Sequence, residues 1–246
     1  MIAPSRDWLP GVHESPNIQV DPEGYEIENR AVDPANRIEA AMRAIANWVG
    51  GDVLDLGAGT GYHVPGFAAV ARHVYVVEPH DRSRLLAMER CVRLGVANAS
   101  VLAGSAESIP LRDGAVDIVH ARFAYFWGPG SEPGIAEMRR VLRPGGTGHV
   151  IDNDLRSGTF AEWLRRADPG SGRDPGRVEG FWRDQGFTLT RIPSSWHFER
   201  REDLERVVRL EFPADLAEEL LAEHPGADID YHYALYSRTF GRRAGP

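Results

Sequence analysis

Val53-Leu54-Asp55-Leu56-Gly57-Ala58-Gly59-Thr60-Gly61 is the stretch on which the fold of this 246-residue chain turns. Residues 53–56 are short and mostly apolar, as a buried strand requires. Glycines at alternate positions then let the backbone turn tightly and pass close to a ligand before a helix begins. Alone, such a run is a weak sign of a nucleotide site, so its surroundings decide. Upstream, Ile38, Met42, Ile45, Trp48 and Val49 recur at helical spacing until Gly50-Gly51. Downstream, a helical stretch to about Ala71 precedes a strand at 73–78, and Asp81 caps a helix over 82–94 that Gly95 ends. Strands follow at 99–103, 115–121 and 148–152, with a helix over 135–142 and a turn at Arg143-Pro144-Gly145-Gly146. Strands alternating with helices predict an α/β fold, a parallel sheet with helices on both faces.

Three segments follow. Residues 1–33 carry prolines and acids without periodicity and read as an arm or lid; 34–154 are the core. Residues 155–246 complete the sheet and cover the substrate side, with helices at 160–167, 178–185, 204–210 and 216–221 and strands at 187–198 and 229–240.

Composition excludes several chemistries. The sequence holds no lysine, so all 28 cationic side chains are arginine. This bars a Schiff-base lysine, a P-loop lysine and a lysine general base. The single cysteine, Cys91, bars an intramolecular disulfide and a cysteine metal cage. GC-rich codon usage is the simplest cause of the missing lysine. The net charge of −8 argues against nucleic acid as the main partner. No run approaches a membrane span, and the start, MIAPSRDWLPG, lacks a signal-peptide core. The expectation is a cytoplasmic protein, monomer or homodimer, away from membranes.

Glu78 falls at the end of the predicted second strand, 21 residues beyond Gly57 (78 − 57), where a carboxylate accepts hydrogen bonds from ribose hydroxyls. Asp55 stands two residues before the first glycine. It would repel a pyrophosphate but suits a cationic amino-acid head group. S-adenosylmethionine carries an ammonium and a sulfonium and no phosphate, so this electrostatics favours it over a dinucleotide.

Four motifs in order now carry a resemblance. They are Val53–Gly61; Glu78; Gly104–Pro110 with Asp117-Ile118-Val119; and Leu142–Gly146. Over about residues 50–154 the chain resembles class I S-adenosylmethionine-dependent methyltransferases, in particular the bacterial type 11 small-molecule group. The resemblance implies a Rossmann-like, seven-stranded, mostly parallel sheet and S-adenosyl-L-methionine as cofactor. It implies that Gly57, Gly59 and Gly61 line the methionine part, with Asp55 near its amino group, and that Ala58 and Pro79 also contact the cofactor. Glu78 would lie at the ribose, Ser105 and Ala106 at the adenine, and His120 at the methionine side. Many relatives carry Asp where Ser105 stands; Ser105 or Glu107 would have to serve instead. Tyr25 and Arg30 resemble lid residues, with Arg30 able to pair with the cofactor carboxylate; a solvated arm is the other reading.

The implied activity is methyl transfer to an oxygen, nitrogen or carbon of a small molecule. The alternatives are a non-catalytic cofactor-binding protein and an RNA or protein methyltransferase, for which Arg139, Arg140 and Arg143 would form the basic stripe. His120 is the best-placed general base among His120, His149, Asp152, Asp154, His197 and His232, though a histidine there is more often a packed strand-end residue. Asp152-Asn153 sits where catechol-type enzymes bind Mg²⁺, but their lysine base has no counterpart, so no metal is expected. Phe123, Tyr125, Phe126 and Trp127 are read as substrate-binding aromatics, or as packing under the next helix.

Overall fold

The computed structural model describes residues 8–12, 21–168 and 174–241; the remainder of the predicted arm and of the polar loop near 170 lies outside the described residues. In chain order the elements are α1 (Pro22–Ala31), α2 (Arg37–Ile45), β1 (Asp52–Leu56), α3 (Val64–Ala68), β2 (His73–Glu78), α4 (Asp81–Arg93), β3 (Ala99–Ala103), β4 (Val116–Arg122) and α5 (Glu132–Val141). There follow β5 (Leu142–Asn153), α6 (Thr159–Ala167), α7 (Pro175–Asp184), β6 (Thr188–Ile192), β7 (Ser195–His197), α8 (Arg201–Glu211), α9 (Ala214–Glu223), β8 (Asp228–Asp230) and β9 (Tyr233–Thr239).

Seven strands form one sheet in the order β3-β2-β1-β4-β5-β9-β6. Pairing is parallel from β3 to β5, and β9 runs antiparallel between β5 and β6. The Rossmann-like, mostly parallel α/β expectation is met. Alternation along β1 sends Val53 to one core and Leu54 to the other. The first core holds Ile38 and Met42 of α2, Phe67 of α3 and Leu204 of α8; the second holds Met138 of α5 and Trp182 of α7. Every residue of β1 is buried, as a central strand covered on both faces must be. The sheet order reverses between β2 and β4 on either side of β1, which leaves a crevice at the C-terminal ends of β1 and β4.

Several predicted elements differ. Residues 22–31 are a helix, not an aperiodic arm: Pro22 suits its first turn, and the Asp21 carboxylate caps it by accepting from the Gly24 N–H at 3.0 Å. The helix after the glycine turn is only the five residues of α3. The predicted turn at 143–146 lies within β5 as an irregularity, since Val116 pairs with Leu142 but Ile118 with Thr147. The strand expected over 187–198 breaks at Pro193, which has no N–H for a ladder. That over 229–240 breaks at Tyr231-His232, and β7 pairs with β8 in a separate small sheet. Among the described residues no helix is long and apolar enough to cross a membrane.

Candidate active site

The C-terminal ends of β1, β2 and β4 open into a cavity of about 610 Å³. Its floor is the glycine turn. Gly57 has φ +70°, and a Cβ there would meet the Ala124 Cβ at 2.5 Å. Gly61 does not line the cavity; at φ +74° it lets α4 approach, with Ala87 Cβ 3.0 Å from where its own Cβ would stand.

The Gly59 N–H donates to Glu78 Oε2 at 2.9 Å, and the His80 N–H donates to Oε1 at 3.0 Å. Both donors hold the buried carboxylate in one orientation, and each oxygen keeps a lone pair for a further donor. Burial pushes the Glu78 carboxyl up from its ordinary range, with the two backbone N–H groups opposing. Asp55 Oδ1 lies 2.8 Å from His120 Nδ1, whereas Asp55 Oδ2 is buried with no partner among the described residues. A buried carboxylate oxygen of this kind is costly unless a cationic or hydrogen-bonding ligand group meets it. The His120 ring also meets the edges of His63 and Phe67, at 5.3 and 5.0 Å between centroids. Burial, then the nearby Arg122, holds the His63 imidazole well below its ordinary range, so it is neutral at pH 7.

Ala58, Pro79, Ser105 and Ala106 line the cavity beside Glu78. Ser105 and Ser108 exchange backbone hydrogen bonds in a tight turn, and Glu107 accepts from the Tyr125 hydroxyl at 2.8 Å. Trp8, which the sequence did not flag, reaches the same rim: its ring sits 4.7 Å from that of His80, and the Leu9 N–H donates to the Pro79 carbonyl at 3.3 Å.

The aromatic loop divides between its two readings. Phe123, Tyr125 and Trp127 line the cavity; Phe126 does not, being 1% exposed and packed 6.3 Å from Trp182. Phe123 and Tyr125 hold φ of 51° and 59°, a left-handed conformation that costs bulky residues about 1–3 kcal/mol and concentrates at functional sites. Helix α1 also divides. Tyr25, Glu28 and Asn29 face the cavity, but Arg30 does not. Two residues past Glu28 is more than half a helical turn around, which places Arg30 on a separate groove with Arg90, Arg93 and Arg206. Arg30 therefore lies away from the cavity and is not placed to pair with a cofactor carboxylate there.

The far end of the cavity was not foreseen. Glu28, Arg122, Asn153, Phe160, Leu164, Glu211 and Tyr231 form it, and they come from six separate segments. Among the other candidate bases, His149 bonds Ser237 within the sheet, His197 pairs with Asp228, and His232 meets Ser157; none lines the cavity. Asn153 Oδ1 accepts from the Tyr231 hydroxyl. Trp163, Trp182 and Trp196 are core residues. Arg140 and Arg143 are drawn into ion pairs with Glu137, Asp113, Asp52 and Asp117. Among the described residues no group of three His, Cys, Asp or Glu side chains converges as a metal site.

This sheet order and glycine turn define a class I S-adenosylmethionine-dependent methyltransferase fold. Residues 53–146 match the family described as a methyltransferase domain, and that part of the chain is such a domain. A malonyl-[acyl-carrier protein] O-methyltransferase of Methylococcus capsulatus is 37% identical over 95 residues, covering 38% of this chain and 34% of the relative. A ubiquinone/menaquinone biosynthesis C-methyltransferase of Rubrivivax gelatinosus is 32% identical over 124 residues, covering 50% and 46%. The chain thus spans between a third and a half of the length of these curated relatives. A SAM-dependent methyltransferase from Aquifex aeolicus shares the fold, with TM-score 0.55 and 18% identity over 87% of this chain and 97% of that one.

Proposed function

We propose that the chain transfers a methyl group from S-adenosylmethionine to a small molecule held at the far end of the cavity. The observation that carries this is the joint arrangement of Asp55 and Glu78. Glu78 is fixed by two backbone N–H groups with lone pairs to spare, and Asp55 has one buried oxygen left for a cation.

The cofactor supplies an electrophilic methyl on a sulfonium sulfur. In this reading Glu78 holds the ribose hydroxyls and Asp55 the ammonium, while Gly57 and Gly59 bring backbone against the methionine part. Ser105 and Ala106 flank the adenine, with Ala58 and Pro79 beside it. His120 orients Asp55 and borders the reacting end. Tyr25 and Trp8 close over the cavity and exclude water, and Phe123, Tyr125 and Trp127 bound the acceptor. The segments act as lid (1–33), cofactor core (34–154) and substrate cover (155–246).

The chain would work as a monomer or homodimer in the cytoplasm without nucleic acid, a reading supported by the net charge of −8 and the single, buried cysteine. Titration calorimetry with S-adenosylhomocysteine tests the central claim. Micromolar-range binding that Glu78→Ala weakens at least tenfold is expected; no binding by the wild type would end it. The names of the two relatives put the methyl on oxygen in one case and carbon in the other, so the acceptor atom must be read from this chain's own residues.

A further inference from the structure

Two carboxylates face the acceptor end of the cavity, Glu28 from the middle of α1 and Glu211 from the last residue of α8. Glu28 is only 8% exposed, and its Oε2 is buried without a hydrogen-bond partner among the described residues. Aromatic side chains line the same space: Tyr25 lies one helical turn before Glu28, and Phe160 and Phe123 both stack on Tyr231, at 4.0 and 6.3 Å between centroids. The charges lining the cavity are lopsided. Among the described residues they comprise five carboxylates, Glu28, Asp55, Glu78, Glu107 and Glu211, against the single guanidinium of Arg122.

Asp55 and Glu78 serve the cofactor in the reading above, and Glu107 is engaged by Tyr125 at the rim. Of the remaining two, Glu28 keeps a buried oxygen that no described residue meets. A buried carboxyl oxygen left without a partner, in a chamber otherwise lined by aromatic side chains, is a receptor for a cationic hydrogen-bond donor that replaces the lost water. Burial and the facing Glu211, opposed by Arg122, raise the Glu28 carboxyl well above its ordinary range. That brings its proton affinity nearer to that of an amine.

We propose that the methyl acceptor is an amine, seated as its ammonium against Glu28 within the Tyr25–Phe123–Phe160–Tyr231 chamber, with Glu28 as the base that takes the nitrogen's proton. This rests on the methyl-transfer reading. The ammonium R–NH₃⁺ gives a proton to the Glu28 carboxylate, and the freed lone pair forms the N–C bond to the methyl carbon. The C–S bonding pair stays on sulfur, which becomes the thioether of S-adenosylhomocysteine, and the product leaves as R–NH₂⁺–CH₃.

Calorimetry on the protein saturated with S-adenosylhomocysteine tests this with three probes of one skeleton: 2-phenylethylamine, 2-phenylethanol and phenylacetate. The amine is expected to bind at least tenfold tighter than either of the others. Glu28→Gln should reduce that preference below threefold while leaving S-adenosylhomocysteine affinity within twofold of wild type. Glu211→Gln, a second variant, should lower the preference as well. An amine that binds no tighter than the alcohol in the wild type, undetectable binding included, overturns the proposal. So does tighter binding of phenylacetate, which would make Arg122 the handle of an anionic acceptor, or a preference that survives Glu28→Gln. Failure of S-adenosylhomocysteine itself to bind would overturn the methyl-transfer reading and this one with it; cofactor-product binding without amine preference overturns this one alone.

Discussion

Asp55 and His120 are partners across neighbouring parallel strands, in register and joined by a hydrogen bond of 2.8 Å between Oδ1 and Nδ1. Both side chains are 3% exposed, so this bond fixes the carboxylate and leaves Oδ2 as its only uncommitted oxygen. Loss of a charge-assisted hydrogen bond costs roughly 1.5–3 kcal/mol. Asp55→Ala is therefore expected to lower S-adenosylhomocysteine affinity about tenfold or more. His120→Ala should also weaken it, about threefold, by freeing Asp55 to turn. Calorimetry on both variants checks this. Unchanged affinity in His120→Ala, with turnover lost, would instead mark the imidazole as a base and not as the support of Asp55.

Gly57 is held twice, by its φ of +70° and by Ala124 opposite. Gly57→Ala would bring two methyl carbons within 2.5 Å in a conformation that L side chains rarely adopt. A destabilisation of roughly 1–3 kcal/mol is expected, together with weaker cofactor binding. Thermal melts and calorimetry measure the two effects. Ala124→Gly on the same background should recover the part due to collision and none of the part due to φ. Full recovery would show that backbone strain at Gly57 is negligible.

The cofactor end was legible in the sequence because its chemistry is local. Asp55, Gly57 and Gly59 lie within five residues of one another, and Glu78 follows at the end of the next strand. A regular strand–turn–helix alternation carried most of the sheet for the same reason. The acceptor end was not legible, because Glu28, Phe160, Glu211 and Tyr231 meet only through tertiary packing of α1, α6 and α8. Arg30 was misplaced since a residue's face on α1 depends on where that helix begins, and the arm offered no periodicity from which to read it. Phe126 shows a related limit: four aromatics within five positions gave no sign of which one turns inward to Trp182.

Arg143 shows what an arginine-only chain obtains at the opposite end of the sheet. One nitrogen donates to Asp117 Oδ2 and the other to Asp52 Oδ2, each at 2.7 Å, so a single fork ties β5 to both β4 and β1. Asp52 is buried, and Arg72, followed by Arg143, holds its carboxyl below the ordinary range. An ammonium presents one nitrogen and cannot reproduce the fork. Arg143→Ala is expected to cost about 1–3 kcal/mol in urea unfolding, with Arg143→Lys recovering less than half. Recovery of the full stability by lysine would show that charge alone, without the fork, secures the three strands.

His149 gives a pH signature of the fold. It is fully buried between β4 and β9, where its Nδ1 meets Ser237 Oγ at 2.8 Å, and burial lowers its pKa from 6.5 to about 3. Between those values the unfolded chain holds a proton on this imidazole that the folded chain refuses. The stability His149 contributes is thus complete above pH 6.5 and lost as the pH falls toward 3. His63, lowered by burial and Arg122, acts in the same direction. The buried carboxyls of Glu28 and Glu78, raised by burial, act oppositely above 4.5, because there the folded state holds the extra proton. Total stability therefore mixes both signs, and only a difference isolates His149. Urea unfolding of wild type and His149→Asn at pH 6.5, 5.75 and 5 supplies it. The wild type's advantage should shrink on the order of 1 kcal/mol per pH unit, the slope of one proton. A constant difference over that range would mean that His149 takes up its proton in the folded state.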